Sequence, residues 1–213
     1  MEREDEIMRR LGYYEVRPDS RHNPTEEELA DFESQIGGPL PPDYRRFLSK
    51  YGGTAFEGRV GVPLREPSPW GDSCEVEVFY GFTSDPSSGI VYETMETYSG
   101  RIPDETVPAA YDPFGNLILV GFEGVARDRV WFWDHEHREL AGRIDEMVDD
   151  LRAKGVDVDS LDDHAVIWHW EELFPERLTK PPRHGNIYAI ADSFNAFLES
   201  LRPIAEDPEE DSD

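Results

Sequence analysis

Leu40-Pro41-Pro42-Asp43-Tyr44-Arg45-Arg46-Phe47-Leu48-Ser49-Lys50-Tyr51-Gly52-Gly53 is the stretch that decides how this chain folds. It reads as a short helix with proline in its first turn, where the missing N–H is not needed. Tyr44, Phe47, Leu48 and Tyr51 fall on one apolar face. The basic residues lie toward the C-terminal end of the helix dipole, and Gly52-Gly53 supplies a left-handed stop. Immediately upstream, Asn23-Pro24-Thr25-Glu26-Glu27-Glu28 opens a second helix. Thr25 is its cap and Glu28 completes a capping box. Leu29, Phe32 and Ile36 form its stripe, and Gly37-Gly38 ends it.

Downstream of Thr54 the apolar period changes from helical to two. Thr54–Val62, Glu75–Gly81, Asn116–Phe122 and Arg129–Asp134 read as strands separated by Gly, Pro and Asp clusters. In Cys74-Glu75-Val76-Glu77-Val78-Phe79-Tyr80, the alternation predicts a half-exposed antiparallel strand with Glu75 and Glu77 on its outer face. Gly89–Tyr98 reads as a helix, and Pro108–Gly115 as a turn-rich approach to Leu117-Ile118-Leu119-Val120. Leu140, Ile144, Met147, Val148 and Leu151 mark an amphipathic helix that Gly155 should end. Between Asp157 and Gly185, Ile167-Trp168-His169-Trp170 fits either strand or helix, and Lys180-Pro181-Pro182-Arg183-His184-Gly185 is a loop. Tyr188-Ala189-Ile190-Ala191 is a last strand, after which Asp192 caps a helix carrying Phe194, Phe197, Leu198 and Leu201. Helices first, strands next and a closing helix favour an α+β fold: one domain, mainly an antiparallel sheet flanked by helices.

The chain of 213 residues carries 21 basic and 47 acidic side chains, a formal net charge of −26. With 38% hydrophobic and 12% aromatic residues it has a globular composition, so the charge is not a sign of wholesale disorder. Pro203 to Asp213 holds six acidic residues and no basic one, and reads as a disordered acidic tail. Glu139–Asp163 has nine acidic and three basic residues, and −14 remains once both stretches are set aside. The body is therefore acidic in its own right. Such a surface repels phosphate backbones and anionic lipid, which speaks against direct nucleic-acid or membrane binding and for a basic partner. No apolar run approaches the roughly 20 residues of a membrane span, and MEREDEIMRR is unlike a secretory leader, so a cytoplasmic location is expected. A lone Cys74 excludes a disulfide framework.

The chemistry-bearing patterns are few. Asp134-His135-Glu136-His137 would place two imidazoles on one face of a continuing strand, but nothing nearby completes a zinc set, and a polar strand end is the plainer reading. No G-x-S-x-G elbow or phosphate-binding glycine loop is present, and Cys74 lies beside Glu75 rather than in an activating electropositive setting. No cofactor or metal is expected. Trp131, Phe132, Trp133 and Phe79 read as sheet core. Trp70 lies in the loop Pro67-Ser68-Pro69-Trp70-Gly71-Asp72, where both an interface anchor and a cover over the core fit.

Four blocks in order resemble the SUKH superfamily, which takes in fungal regulators of cell-wall synthesis and many bacterial toxin-immunity proteins. The first is Phe32-Glu33, Ile36-Gly37, Leu40-Pro41-Pro42-Asp43-Tyr44, Phe47-Leu48 and Tyr51-Gly52-Gly53. Phe79-Tyr80-Gly81 with Tyr111-Asp112-Pro113-Phe114-Gly115-Asn116 makes the second, and Val130-Trp131-Phe132-Trp133-Asp134-His135-Glu136 the third. Ile190-Ala191-Asp192-Ser193-Phe194-Asn195-Ala196-Phe197-Leu198 closes the series. The departure is the stretch between Glu136 and Asn186, longer than the short connection expected there. The layout is then an extension over residues 1–24, a SUKH-like domain over 25–202 with an insertion around 137–185, and a tail over 203–213. The resemblance implies a binding role without catalysis.

On that footing the expected function is an immunity protein that captures a cognate toxin, such as a nuclease with a basic groove. Trp70, Asp72, Glu75, Glu77, Asp134 and Glu136 are the expected partner-binding residues, on the polar side of adjacent strand ends. The protein is expected to be a monomer or weak oligomer. A scaffold or regulatory interaction module is the alternative, and a metal-dependent hydrolase built on Asp134-His135-Glu136-His137 is the third reading.

Overall fold

In the computed structural model, which describes residues 3–83, 91–136, 144–177 and 186–205, the chain opens with helix α1 (Arg3–Arg10). Glu4, Asp5 and Glu6 stand at its start and Arg9 and Arg10 at its end, matching the helix dipole. Strands β1 (Tyr13–Glu15) and β2 (Arg21–His22) lead to helices α2 (Glu26–Ile36) and α3 (Pro42–Tyr51). Then come β3 (Thr54–Phe56), β4 (Val60–Ser68), β5 (Gly71–Glu75), β6 (Val78–Phe79) and β7 (Phe82–Thr83). Helix α4 (Val91–Thr97) precedes β8 (Thr106–Tyr111), β9 (Leu117–Gly121) and β10 (Val130–Trp133). Helices α5 (Ile144–Ala153) and α6 (Asp163–Leu173) form a hairpin, and β11 (Ile187–Ala191), α7 (Phe194–Ser200) and β12 (Arg202–Pro203) close the order.

Seven strands make one sheet in the order β1-β3-β6-β8-β9-β10-β11, antiparallel at every pairing. A smaller sheet, β12-β4-β5, sits alongside β11, and β2 pairs with β7. This is an α+β fold with a large antiparallel sheet flanked by helices. Helices α3 and α7 cover one sheet face through Phe47, whose ring lies 4.7 Å from Phe79 and 4.9 Å from Phe194. Tyr44, Phe47, Leu48 and Tyr51 are all buried, as the spacing predicts. Trp131, Phe132, Trp133 and Phe79 are core.

The predicted caps hold where their chemistry is local. Thr25 and Glu28 form the reciprocal capping box, and Gly37 is left-handed at φ 89°. At the end of α3 only Gly53 is left-handed, at φ 76°, while Gly52 has φ −56°. Gly52 has a different reason to be glycine: its backbone meets Gly81 so closely that a Cβ on Gly81 would lie 2.3 Å from the Gly52 carbonyl carbon. Arg21 finishes α3, donating from Nε to the Gly52 carbonyl at 2.7 Å and from Nη2 to the Lys50 carbonyl at 2.6 Å. The last helix is capped by Ser193, not Asp192: its side chain accepts the Ala196 N–H, while Asp192 pairs with Arg65 at 2.6 Å.

Three expectations need correcting. Thr54–Val62 is two strands, β3 and β4, in different sheets. Cys74–Tyr80 likewise breaks at Val76-Glu77, so Glu75 ends β5 and β6 begins at Val78. Pro108 lies inside β8, at an irregularity in its register with β9, where a proline is tolerated in a sheet. Ile167-Trp168-His169-Trp170 is helical, within α6. The amphipathic helix is observed from Ile144, with Gly155 at φ 82° beyond its end. Leu140, the loop 180–185 and the segment from 206 onward lie outside the described residues. Pro203 pairs with Val60, and the Ile204 N–H donates to Arg59 at 2.9 Å, so the chain stays on the body past residue 202. The α5–α6 hairpin has a core of its own, Leu151, Val158, Val166 and Trp170.

Candidate partner-binding surface

One end of the large sheet is organised by buried polar groups. Between β8 and β9 the chain turns through Asp112-Pro113-Phe114-Gly115-Asn116, with Gly115 at φ 90°. Asp112 is only 4% exposed. Its Oδ1 accepts the N–H of Phe114 at 2.9 Å and of Asn116 at 2.8 Å, and its Oδ2 accepts Asn116 Nδ2 at 2.8 Å. A carboxylate accepting local backbone N–H groups is what makes Asp a turn residue. The network continues sideways. Asn116 Oδ1 accepts the His135 backbone N–H at 3.1 Å and faces His135 Nδ1 at 2.9 Å, so the ring carries its proton on Nδ1. Asp134 Oδ1 accepts the Glu136 N–H at 2.9 Å, and Asn186 Nδ2 donates to the Asp134 carbonyl at 2.6 Å. Asp112, Asn116, Asp134 and Asn186 therefore clamp the ends of β8, β9, β10 and β11 to one another.

What this clamp presents is aromatic. Phe114 is 56% exposed, and its ring stacks on Trp70 with centroids 5.4 Å apart and planes 24° from parallel. Trp70 is 40% exposed and sits at the β4–β5 turn, where its N–H donates to Ser68 Oγ at 3.1 Å. The β4–β5 hairpin and the β8–β9 turn thus meet at an exposed pair of rings. Such a pair is held by stacking and by rigid turns, so little entropy is lost when a partner covers it.

The six expected contact residues fall into three groups. Trp70, Asp72 and Glu136 are exposed at this end, with Glu136 Oε1 3.7 Å from His135 Nε2. Glu77 is exposed next to it, its N–H donating to the Tyr111 carbonyl at 2.9 Å. Glu75 is engaged by the Arg59 guanidinium through both carboxylate oxygens, which offsets its charge. Asp134 is 0% exposed and serves the turn from inside, which corrects the expectation that it lies on the polar surface. Phe114, absent from the expected set, is the most exposed large apolar side chain among the described residues. The signal for it was present: an Asp four residues before an Asn, with Gly between, forces the intervening Phe outward once the carboxylate closes the turn.

The other chemistries find poor ground in the geometry. Cys74 is buried, and burial together with the nearby Asp112 and Glu75 carboxylates pushes its thiol well above the usual range, the reverse of an activated nucleophile. In the Asp134-His135-Glu136-His137 cluster, Asp134 Oδ1 and His135 Nδ1 are already engaged in the clamp, and His137 lies outside the described residues. Among the described residues no three His, Cys, Asp or Glu side chains are grouped to hold a metal, and no helix is long and apolar enough to cross a membrane.

The chain is similar to known proteins. The SPbeta prophage-derived uncharacterized protein YokK of Bacillus subtilis (strain 168) is 33% identical over 160 residues, which is 65% of this chain and 80% of that protein. A solved structure titled "Crystal structure of protein from Pseudomonas syringae pv. tomato" is 22% identical, with a TM-score of 0.41 over 63% of this chain and 84% of that one. The sequence pattern of the SMI1 / KNR4 family (SUKH-1) matches residues 23–150, from the approach to the capping box through the Asp112 turn and β10 into α5. With more than half of its length so matched, the chain belongs to the SMI1 / KNR4 family (SUKH-1).

Proposed function

We propose that this protein is a non-catalytic immunity protein that binds and neutralises a cognate, basic protein toxin in the cytoplasm. The stacked Trp70–Phe114 pair is the apolar anchor, and Asp72, Glu77 and Glu136 are the charged surround. The observation that carries this reading is the exposed aromatic pair on a turn locked by a buried network, in a chain of net charge −26. Exposed, pre-organised aromatics are the residues on which binding energy concentrates, and a field of one sign raises the rate of capture of an oppositely charged protein. A nuclease, whose phosphate substrate demands a basic groove, is the toxin class that this charge fits. Family membership supports the reading, since the SUKH group includes toxin-immunity proteins.

The test is co-expression with the toxin encoded beside this chain, scored by rescue of growth and by co-purification. Wild-type protein should rescue. The double variant Trp70→Ala/Phe114→Ala should stay folded, because both rings lie at the surface outside the buried core, and should fail to rescue. Full rescue by that variant would overturn the assignment of the anchor. Neighbouring products that are neither toxic nor bound would favour the scaffold reading instead.

A further inference from the structure

The large exposed hydrophobics of the described residues fall at three places: Tyr13 and Tyr14 on β1, Trp70 with Phe114, and Trp168 with Leu173 on α6. The third place belongs to the α5–α6 hairpin, which is unfinished as a packing unit. Among its described residues Leu151, Val158, Val166 and Trp170 form the buried cluster, while Ile144, Met147, Val148, Val156, Leu161 and Phe174 are partly buried. Two short helices with so small a core leave apolar surface that a third helix would cover. On α6, Ala165, Trp168, His169, Glu172 and Leu173 share an arc of roughly 140° at 100° per residue, which borders the Val166–Trp170 seam at Leu173 and runs from there to Trp168 on the far side of the helix. Trp168 is 49% exposed and Leu173 43%.

Charge says what would cover this face. From Ile144 to Arg177 the hairpin carries eleven acidic residues against Arg152, Lys154 and Arg177. All three cations are engaged inside it. Arg152 pairs with Asp159 at 3.0 Å, and Arg177 pairs with Asp150 at 2.5 Å. The Arg177 guanidinium also lies over the Trp170 ring, and Lys154 over Phe174. Asp145, Asp149, Asp162, Asp163, Glu172 and Glu176 stay exposed around the hairpin. A second copy of this chain, at −26, and its own acidic C-terminal stretch both have the wrong sign.

We propose that the outer face of α6 is a second docking element, which receives a basic amphipathic helix of a partner protein and completes a three-helix bundle around Trp168 and Leu173. The proposal deepens the toxin-binding reading and rests on it only for the identity of the partner. The docking chemistry is tested without the toxin. Full-length protein is titrated with a synthetic 18-residue Leu/Lys amphipathic helix, and with a scrambled peptide of the same composition that lacks an apolar face. The amphipathic peptide should bind at least tenfold more tightly than the scrambled one. Trp168→Ala/Leu173→Ser, which leaves charge unchanged, should abolish that difference, while Trp70→Ala/Phe114→Ala should preserve it. Equal binding of the two peptides, an unaltered difference in the α6 variant, or its loss in both variants would overturn the proposal. Failure of toxin rescue with peptide discrimination intact would instead count against the immunity reading alone.

Discussion

Replacing Asp112 by Ala removes the acceptor for three donors at once: the N–H groups of Phe114 and Asn116 and the side-chain amide of Asn116. A buried donor left without a partner costs about 1–3 kcal/mol. Phe114 is exposed, so water reaches its N–H and that loss is small. Asn116 is 1% exposed, and both of its donors lose their partner fully. Removing a buried carboxylate also relieves its desolvation, which offsets part of the total. The balance is about 3 kcal/mol, and for a domain of this size about 6–12 °C in Tm. Urea unfolding followed by tryptophan fluorescence and by circular dichroism measures it. Asp112→Asn is the control. Its Oδ1 still accepts the two backbone N–H groups, while its amide opposes that of Asn116, so it should cost about half as much. An Asp112→Ala cost below about 1 kcal/mol, or an Asp112→Asn cost equal to it, would refute the view that this carboxylate holds the turn. Because the turn carries Phe114, Asp112→Ala should also weaken partner binding without touching the partner.

Three further expectations follow from local geometry. Thr25→Ala deletes the side-chain half of the α2 capping box, leaving the Glu28 carboxylate on the backbone N–H of residue 25, and should destabilise by about 1 kcal/mol in the same urea assay. Gly81→Ala places a Cβ 2.3 Å from the backbone of Gly52 and Gly53, where no side chain can yield, and should leave little soluble folded protein on expression, whereas Gly58→Ala, with nothing within 4 Å, should express normally. Glu105 has its carboxyl pKa raised above the ordinary value of 4.5 by burial and by the nearby Glu123 and Asp104 carboxylates. Its contribution to stability is therefore full below pH 4.5 and is lost as pH rises through the raised folded value. Glu105→Gln should be more stable than wild type at neutral pH, with the difference vanishing near pH 4 in thermal melts.

How much of this was legible in the sequence depended on whether a residue's reason was local. The Thr25–Glu28 box, the Gly37 stop and the α3 face were readable because each is decided within one or two turns. Long-range reasons were not. Pro108 reads as a turn until β9 supplies the register irregularity that admits it. Gly52 reads as a helix stop, yet it meets Gly81 29 residues away. Alternating Glu75 and Glu77 suggest one acidic strand, but the chain breaks at Val76-Glu77, so Glu75 ends β5 while Glu77 lies between two sheets, and Arg59 occupies Glu75. Asp134 illustrates the commonest error at a site: a carboxylate at a strand end counts as surface until Glu136 and Asn186 close over it. Phe114 was missed for the opposite reason, since an apolar residue in a turn is assumed to fold inward. Trp168 could not be placed while its segment fitted both strand and helix.

The most direct test of the account is the affinity of the neighbour-encoded toxin for wild-type protein and for Trp70→Ala/Phe114→Ala, measured by calorimetry across a salt series. An acidic surface steering a basic partner onto an aromatic anchor predicts two separable effects. Affinity of the wild type falls steadily as salt rises, and the double variant binds more weakly at every salt concentration, by about 2 kcal/mol or roughly thirtyfold, with the same dependence on salt. Salt-independent binding, or a double variant as tight as the wild type, would contradict it.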